Sequence, residues 1–235
     1  MTDEDVDRVL QGASRTAPQV EPAMLKGIAD SINSSLQPVR PLPPPWVLTG
    51  GLALICAGVA LAAAARAGFH GIEKLTLWES IPIFSTLGIL NWVAAMELVR
   101  QLIPGSRRHF GAGGLLITAN GSLLGIFALV FHDYNTQRFF GAGITCLLTG
   151  VLVAFPTSIF SWLVLRRGFA VKPVSAGLAA GTLAGLCGVT MLELHCPNLE
   201  ALHVLVWHTA VVPAAAAAGT VVAWALSNRS RPTGR

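Results

Sequence analysis

The chain has 235 residues, 53% hydrophobic and only 12% charged, with a mean hydropathy of +0.61, whereas an ordinary soluble domain carries about 25% charged residues. The apolar residues are gathered into long blocks, and about 20 of them suffice for a helix to cross the roughly 30 Å hydrocarbon core of a bilayer, so a water-soluble globular enzyme is excluded in favour of a polytopic membrane protein. The formal charge of +4 and pI near 9.2 would suit nucleic acid, but the basic residues are scattered through short loops rather than gathered in one stripe, which argues against direct nucleic-acid binding.

Residues 1–45 are a polar arm that ends in Pro41-Leu42-Pro43-Pro44-Pro45, a run that stops a helix and favours extended polyproline conformation. Within the arm Val20, Met24, Ile28, Ile32 and Leu36 recur every four residues, with Leu25 beside them. This spacing predicts a short amphipathic helix. Its polar positions are mainly Glu21, Lys26, Asp30, Ser31 and Asn33, whereas a helix lying on lipid is usually rich in Lys and Arg. Docking to a partner protein is therefore the expected use of the face. The first apolar block begins near Trp46, behind a polar segment too long for the n-region of a signal peptide, so the N-terminus is expected to be retained.

Six spans follow, over about 46–68, 79–100, 111–131, 141–165, 174–193 and 204–226, predicting an all-α transmembrane domain over 46–226 and a basic tail over 227–235. The second span is punctuated by Pro82 and Asn91 and the fourth by Pro156, which neighbouring helices can accommodate. An even number of spans places both termini on one side. That side holds Arg107, Arg108, Arg166, Arg167, Lys172, Arg229, Arg231 and Arg235, with Arg100 at its margin. The other holds Lys74 and Arg138, with Arg66 near a span end, mixed with Glu73, Asp133 and Glu200. Short cytoplasmic loops collect Lys and Arg, so both termini are expected in the cytoplasm of a bacterium, with the 69–78, 132–140 and 194–203 loops facing the periplasm across the inner membrane. Gly177, Gly181 and Gly185 on the fifth span form a groove suited to close packing of another span. Glu97 precedes Arg100 by three residues, as an interfacial ion pair would rather than a proton path.

On this topology His70, His132, His195, His203 and His208 all fall on the periplasmic side, leaving only His109 in a cytoplasmic loop. Cys196 adjoins His195, and Cys146 lies about a turn and a half into the fourth span from the same side. Glu193 and Glu200 flank them. Thiolate and imidazole suit zinc and softer transition metals, although adjacent His195-Cys196 with a distant Cys146 is no standard zinc signature. Two other readings stay open. Cys146 and Cys196 could pair as a disulfide in the oxidising periplasm, or the cysteines could be small apolar fillers beside ordinary interfacial histidines. Cys56 and Cys187 fall inside apolar spans and are expected to be inert packing residues. Enzymatic signatures are missing: there is no Walker-type loop, His-Glu-x-x-His or nucleophile elbow. Haem would need two inward-facing histidines on facing helices, and only His208 is clearly placed within a span.

Three stretches resemble the NrsF type of bacterial membrane protein, negative regulators of extracytoplasmic-function sigma factors. Leu36-Gln37-Pro38-Val39-Arg40-Pro41-Leu42-Pro43 looks like the family's lead-in to the first span. Cys146-Leu147, then Pro156 and Leu165-Arg166-Arg167-Gly168, looks like its fourth span and exit loop. His195-Cys196-Pro197, then Val206-Trp207-His208, looks like its last periplasmic loop and sixth span. The likeness covers most of residues 25–226, and residues 1–20 match nothing. It implies a six-span, non-enzymatic anti-sigma factor that holds an extracytoplasmic-function sigma factor at the membrane. The binding element would then be the arm, through Val20, Met24, Leu25, Ile28, Ile32, Leu36, Val39 and Arg40. Cys146 and Cys196 occupy the positions of the family's paired cysteines, associated with sensing metal or oxidant stress; His195, His203 and His208 stand close enough in sequence to complete a transition-metal site. The chain departs from the pattern in having His208 after Trp207, where an aromatic residue is usual. The rival readings are a small-solute or metal transporter, which should show discontinuous helices meeting near the midplane, a haem or quinone redox protein, and a membrane protein that binds metal or haem at its periplasmic face.

Overall fold

The computed structural model describes residues 5, 7–8, 11–12, 21–35, 43–103, 111–134, 139–166 and 172–229. The chain divides into two compact units, Met1–Pro41 and Leu42–Arg235. In the first, helix α1 spans Pro22–Ser35. It opens on a proline, whose fixed φ and missing N–H suit the first helical position. Met24, Leu25, Ile28 and Ile32 on this helix are each more than half exposed. Val20, Leu36, Val39 and Arg40, named above with them, lie outside the described residues.

The second unit contains six helices long and apolar enough to cross a membrane: α2 (Pro45–Ala67), α3 (Leu77–Arg100), α4 (Ala112–Val130), α5 (Phe139–Leu165), α6 (Pro173–His195) and α7 (Ala201–Arg229). No strand occurs among the described residues. Local chemistry sets the ends. Prolines occupy the first turns of α2 and α6. Gly68 closes α2 at φ 101°, a conformation that costs glycine little. The start of α3 is a capping box, in which Glu79 Oε2 accepts hydrogen bonds from both the N–H and the hydroxyl of Thr76 at 2.8 Å. The sixth span begins three residues earlier than its hydropathy suggests and runs three residues longer.

Helix α6 is the axis of the bundle. It packs against each of the other five spans, and its most apolar stretch is 78% buried, against 17–44% for the others. Its small residues explain this, because between helices in lipid, association depends on close backbone approach rather than on hydrophobic burial. A Cβ added at Gly177 would meet Ala223 Cβ and the Gly219 carbonyl oxygen at 2.5 Å, and one at Gly185 would meet Val212 Cα at 2.6 Å. The glycine row is thus the α6/α7 seam, filled from within the chain.

Some polar groups inside the bundle are bonded locally, while Asn91 Oδ1, Glu97 Oε2, Gln101 Oε1, Asn120 Oδ1 and Ser161 Oγ have no hydrogen-bond partner among the described residues. Asn91 Nδ2 donates to the Leu87 carbonyl at 2.9 Å and to Thr190 Oγ1 at 3.3 Å. Glu97 pairs with Arg100 at 2.7 Å, as their spacing suggested. At the end of the bundle where α2 and α6 terminate, the connecting segments are clamped together: Gly71 N–H donates to the Leu194 carbonyl at 3.1 Å, Lys74 Nζ to the Pro197 carbonyl at 3.0 Å, and Ala201 N–H to the Asp133 carbonyl at 2.5 Å.

Candidate metal centre

Four side chains from three elements of this clamped end converge on one point. Cys146 stands on the second turn of α5, Cys196 is the first residue beyond α6, and His203 and His208 lie on the opening turns of α7. The sulfurs of Cys146 and Cys196 are in contact at 3.4 Å, and Cys196 Sγ lies 3.6 Å from His203 Nε2. One donor atom from each of the four residues falls within 4.8 Å of the other three. Cys196, His203 and His208 are buried, and Cys146 is partly so.

The helix geometry of α7 makes the histidines neighbours. In an α-helix, residues five apart point about 140° away from one another. Val204–His208 is instead a π turn, whose i→i+5 closure adds one residue to the turn and is found frequently at functional sites. His203 and His208 are therefore on one side, edge to face, with ring centroids 5.2 Å apart. Trp207 anchors the turn against α5, its ring centroid 5.5 Å from that of Phe139 and 6.2 Å from that of Phe140. Gly143 supplies the space, since a Cβ there would collide with the indole.

Behind the ligands sits Glu193, fully buried on the last turn of α6. Its Oε1 accepts a hydrogen bond from His208 Nδ1 at 2.6 Å, with both side chains fully buried. That bond sets the tautomer of His208 and leaves Nε2 without a hydrogen-bond partner among the described residues; His203 Nδ1 and Glu193 Oε2 are likewise unpartnered. A buried orphan of this kind costs about 1–3 kcal/mol, and at His208 a further partner on Nε2 would remove that cost. The Cys196 thiol is held above its ordinary range by the adjoining Cys146 sulfur and by burial, partly offset by His203 and His208. A carboxylate–imidazole pair pointing at thiols is the usual surrounding of a bound transition metal.

The other residues named from sequence have separate duties. His195, although adjacent to Cys196, turns away from the cluster: its Nδ1 is bonded to the Gly68 carbonyl at 2.9 Å and its ring lies 6.0 Å from that of His70. His132 Nδ1 is bonded to the Val130 carbonyl at 3.1 Å. Glu200 interacts with Asn198. His203 and His208 share one turn rather than facing helices, which does not suit two axial ligands of a haem. Glu193 is the one member that spacing alone did not link to His208.

A second thiol pair lies deep between α2, α5 and α6. Cys187 Sγ donates to the Cys56 carbonyl at 3.3 Å and accepts from Thr157 Oγ1 at 3.2 Å. No further metal-ligating side chain joins these two among the described residues. A groove of about 730 Å³ along α5, α6 and α7 is lined by apolar residues such as Phe155, Ala218 and Val222. At its rim Arg166 lies 4.8 Å over the Trp162 ring.

Residues 33–227 match the family described as NrsF, negative regulator of sigma F. No curated protein and no solved structure matches the chain.

Proposed function

The chain belongs to the NrsF family of negative regulators of sigma F, and we propose that it is an inner-membrane anti-sigma factor, non-enzymatic, whose cytoplasmic arm sequesters a sigma factor of the extracytoplasmic-function class. The Cys146/Cys196 pair at the periplasmic face then acts as the sensor of metal or oxidant stress that triggers release. The observation that carries this reading is the contact of two thiols, fifty residues apart in sequence, at 3.4 Å.

Their location supports a sensor. The arm joins the bundle at the start of α2, and the clamped end lies beyond Ala67 at its other end. Twenty-three helical residues span about 34 Å at 1.5 Å each, so the thiols stand at the end of the bundle opposite the start of α2, where the chain enters it. Arg100, Arg166, Lys172 and Arg229 lie at the end of the bundle where α2 starts and Arg66 and Lys74 at the thiols' end, an excess that favours a cytoplasmic side for the start of α2 and so for the arm that precedes it in the chain. Signal would pass along α6, which adjoins Cys196 and packs on α2.

The arm offers Met24, Ile28 and Ile32 at successive four-residue steps, the pattern by which a helix lays anchors into a partner's groove. Its fourteen residues are too few to hold a helix well in water without packing, so binding is coupled to folding. Ile28→Asp or Ile32→Asp should release the sigma factor and raise its target transcripts about tenfold or more without inducer, a loss of about 1.4 kcal/mol or more in binding. Unchanged membrane retention of the sigma factor and unchanged basal transcription, in a variant that inserts normally, would remove the arm from the mechanism.

A further inference from the structure

The geometry points to a closed tetrahedral Cys2His2 centre for one zinc-class cation, with Cys146, Cys196, His203 and His208 as its four ligands and Glu193 as the positioning residue for His208. This deepens the sensor reading of the two thiols and rests on it for its regulatory meaning, but the binding of metal is a property of the purified protein and is measured apart from sigma control.

Distances favour an ion over a simple thiol pair. With zinc bonds of about 2.3 Å to sulfur and about 2.0–2.1 Å to nitrogen, a tetrahedral site has edges of about 3.8 Å between sulfurs and about 3.5 Å between sulfur and nitrogen. The two edges with known endpoints are 3.4 and 3.6 Å. The widest separation among the four donors is at most 4.8 Å, so loading requires the sulfurs to part by about 0.4 Å and the longest edges to contract by about 1–1.5 Å. A disulfide sensor would need neither imidazole. Here two imidazoles are buried beside the sulfurs, one on a π turn that brings it there and the other face of that same ring held by a buried carboxylate.

Donor type narrows the ion. Two thiolates and two imidazoles suit zinc and its thiophilic relatives such as cadmium, while magnesium, calcium and manganese prefer oxygen. Four protein ligands leave no open position, the mark of a structural rather than a catalytic zinc. The two thiolates cancel the charge of the dication, as burial demands. A bound ion would tie α5, the exit of α6 and the π turn of α7 into one unit at the head of the α6/α7 seam. Occupancy would thus set the resting geometry of the sensor, and a metal that prefers a different geometry, or loss of the ion, would change it.

The test uses full-length protein in detergent with its thiols reduced and counted. Zinc supplied alone should bind at one ion per chain by elemental mass spectrometry. Cobalt(II) in its place should give the intense visible bands of a tetrahedral site and a thiolate charge-transfer band in the near ultraviolet. Glu193→Gln should weaken zinc binding about 10–100-fold while keeping the tetrahedral cobalt spectrum. Cys146→Ser, Cys196→Ser, His203→Gln and His208→Gln should each weaken it further and lose or alter that spectrum, while His195→Gln leaves affinity unchanged. A wild-type protein with free thiols that binds no zinc, a weak octahedral cobalt spectrum, or full retention of zinc in a His203→Gln/His208→Gln double variant overturns the centre. Should a variant aggregate, the wild-type stoichiometry and cobalt spectrum decide. Sigma-dependent transcription in the same variants tests the sensor separately: zinc bound to the wild type with normal induction in the double cysteine variant sinks the sensor and spares the centre, whereas no zinc with lost induction does the reverse.

Discussion

The bundle contains two thiol pairs, and among the described residues one of them has metal-ligating partners and the other none. The Cys187 thiol meets the backbone carbonyl of Cys56 and the hydroxyl of Thr157, groups that satisfy a thiol without making it a ligand. Cys146 and Cys196 meet two imidazoles backed by a carboxylate. Both pairs are drawn against α6, so proximity is not the distinction. A cysteine buried among apolar and backbone atoms behaves as a small hydrophobe, whereas the same side chain among basic nitrogens can become a thiolate, the form that binds metal and reacts.

The largest expected effect is on signalling. Cys146→Ser and Cys196→Ser should each abolish induction as fully as the double change, because residues acting as one unit are not additive; reporter transcription under metal or oxidant stress measures this, and normal induction in the double variant would erase the contrast between the pairs.

Next comes a change that touches no ligand. Gly143→Leu would force the Trp207 ring off α5, costing about 1–3 kcal/mol as overpacking and shifting the π turn that carries His208. Thermal unfolding in detergent should show the loss together with weakened zinc binding. If zinc affinity survives that loss of stability, Trp207 does not position the histidines.

Reactivity sharpens the comparison at a finer level. A membrane-impermeant maleimide should label Cys146, partly exposed, ahead of Cys196, and should leave Cys56 and Cys187 unlabelled because both are buried. Rapid labelling of Cys187, read by mass spectrometry of peptides, would show that the inner pair opens to solvent. The smallest effect belongs to Cys56→Ala and Cys187→Ala. Each removes one small group, at about 1 kcal/mol of stability from the space left behind, and induction should be that of the wild type.

The spans were legible from composition because the bilayer imposes a length and an apolar content on each one independently of the others; five of the six begin within two residues of where hydropathy places them. The glycine row on the fifth span signalled close packing, and it forms the α6/α7 seam. Glu97 and Arg100 were legible for the same reason, being neighbours on one helix turn.

The candidate site was legible only in its ingredients. The sequence by itself determined six spans, a pool of Cys and His at one end of them, and a row of small residues that admits a close neighbour, because each depends on local composition and on helix periodicity. Which members of the pool meet was decided by tertiary structure. His195 adjoins Cys196 along the chain, yet the chain leaves α6 between them and the His195 ring bonds to Gly68. His203 and His208 have a spacing that would point them apart on an α-helix, and a π turn packed through Trp207 against α5 sets them side by side. Cys146 reaches them only because α6 draws α5 and α7 onto a common axis. Contacts between separate helices depend on how backbones pack and where a turn gains a residue, and neither is written in the spacing of the residues that meet.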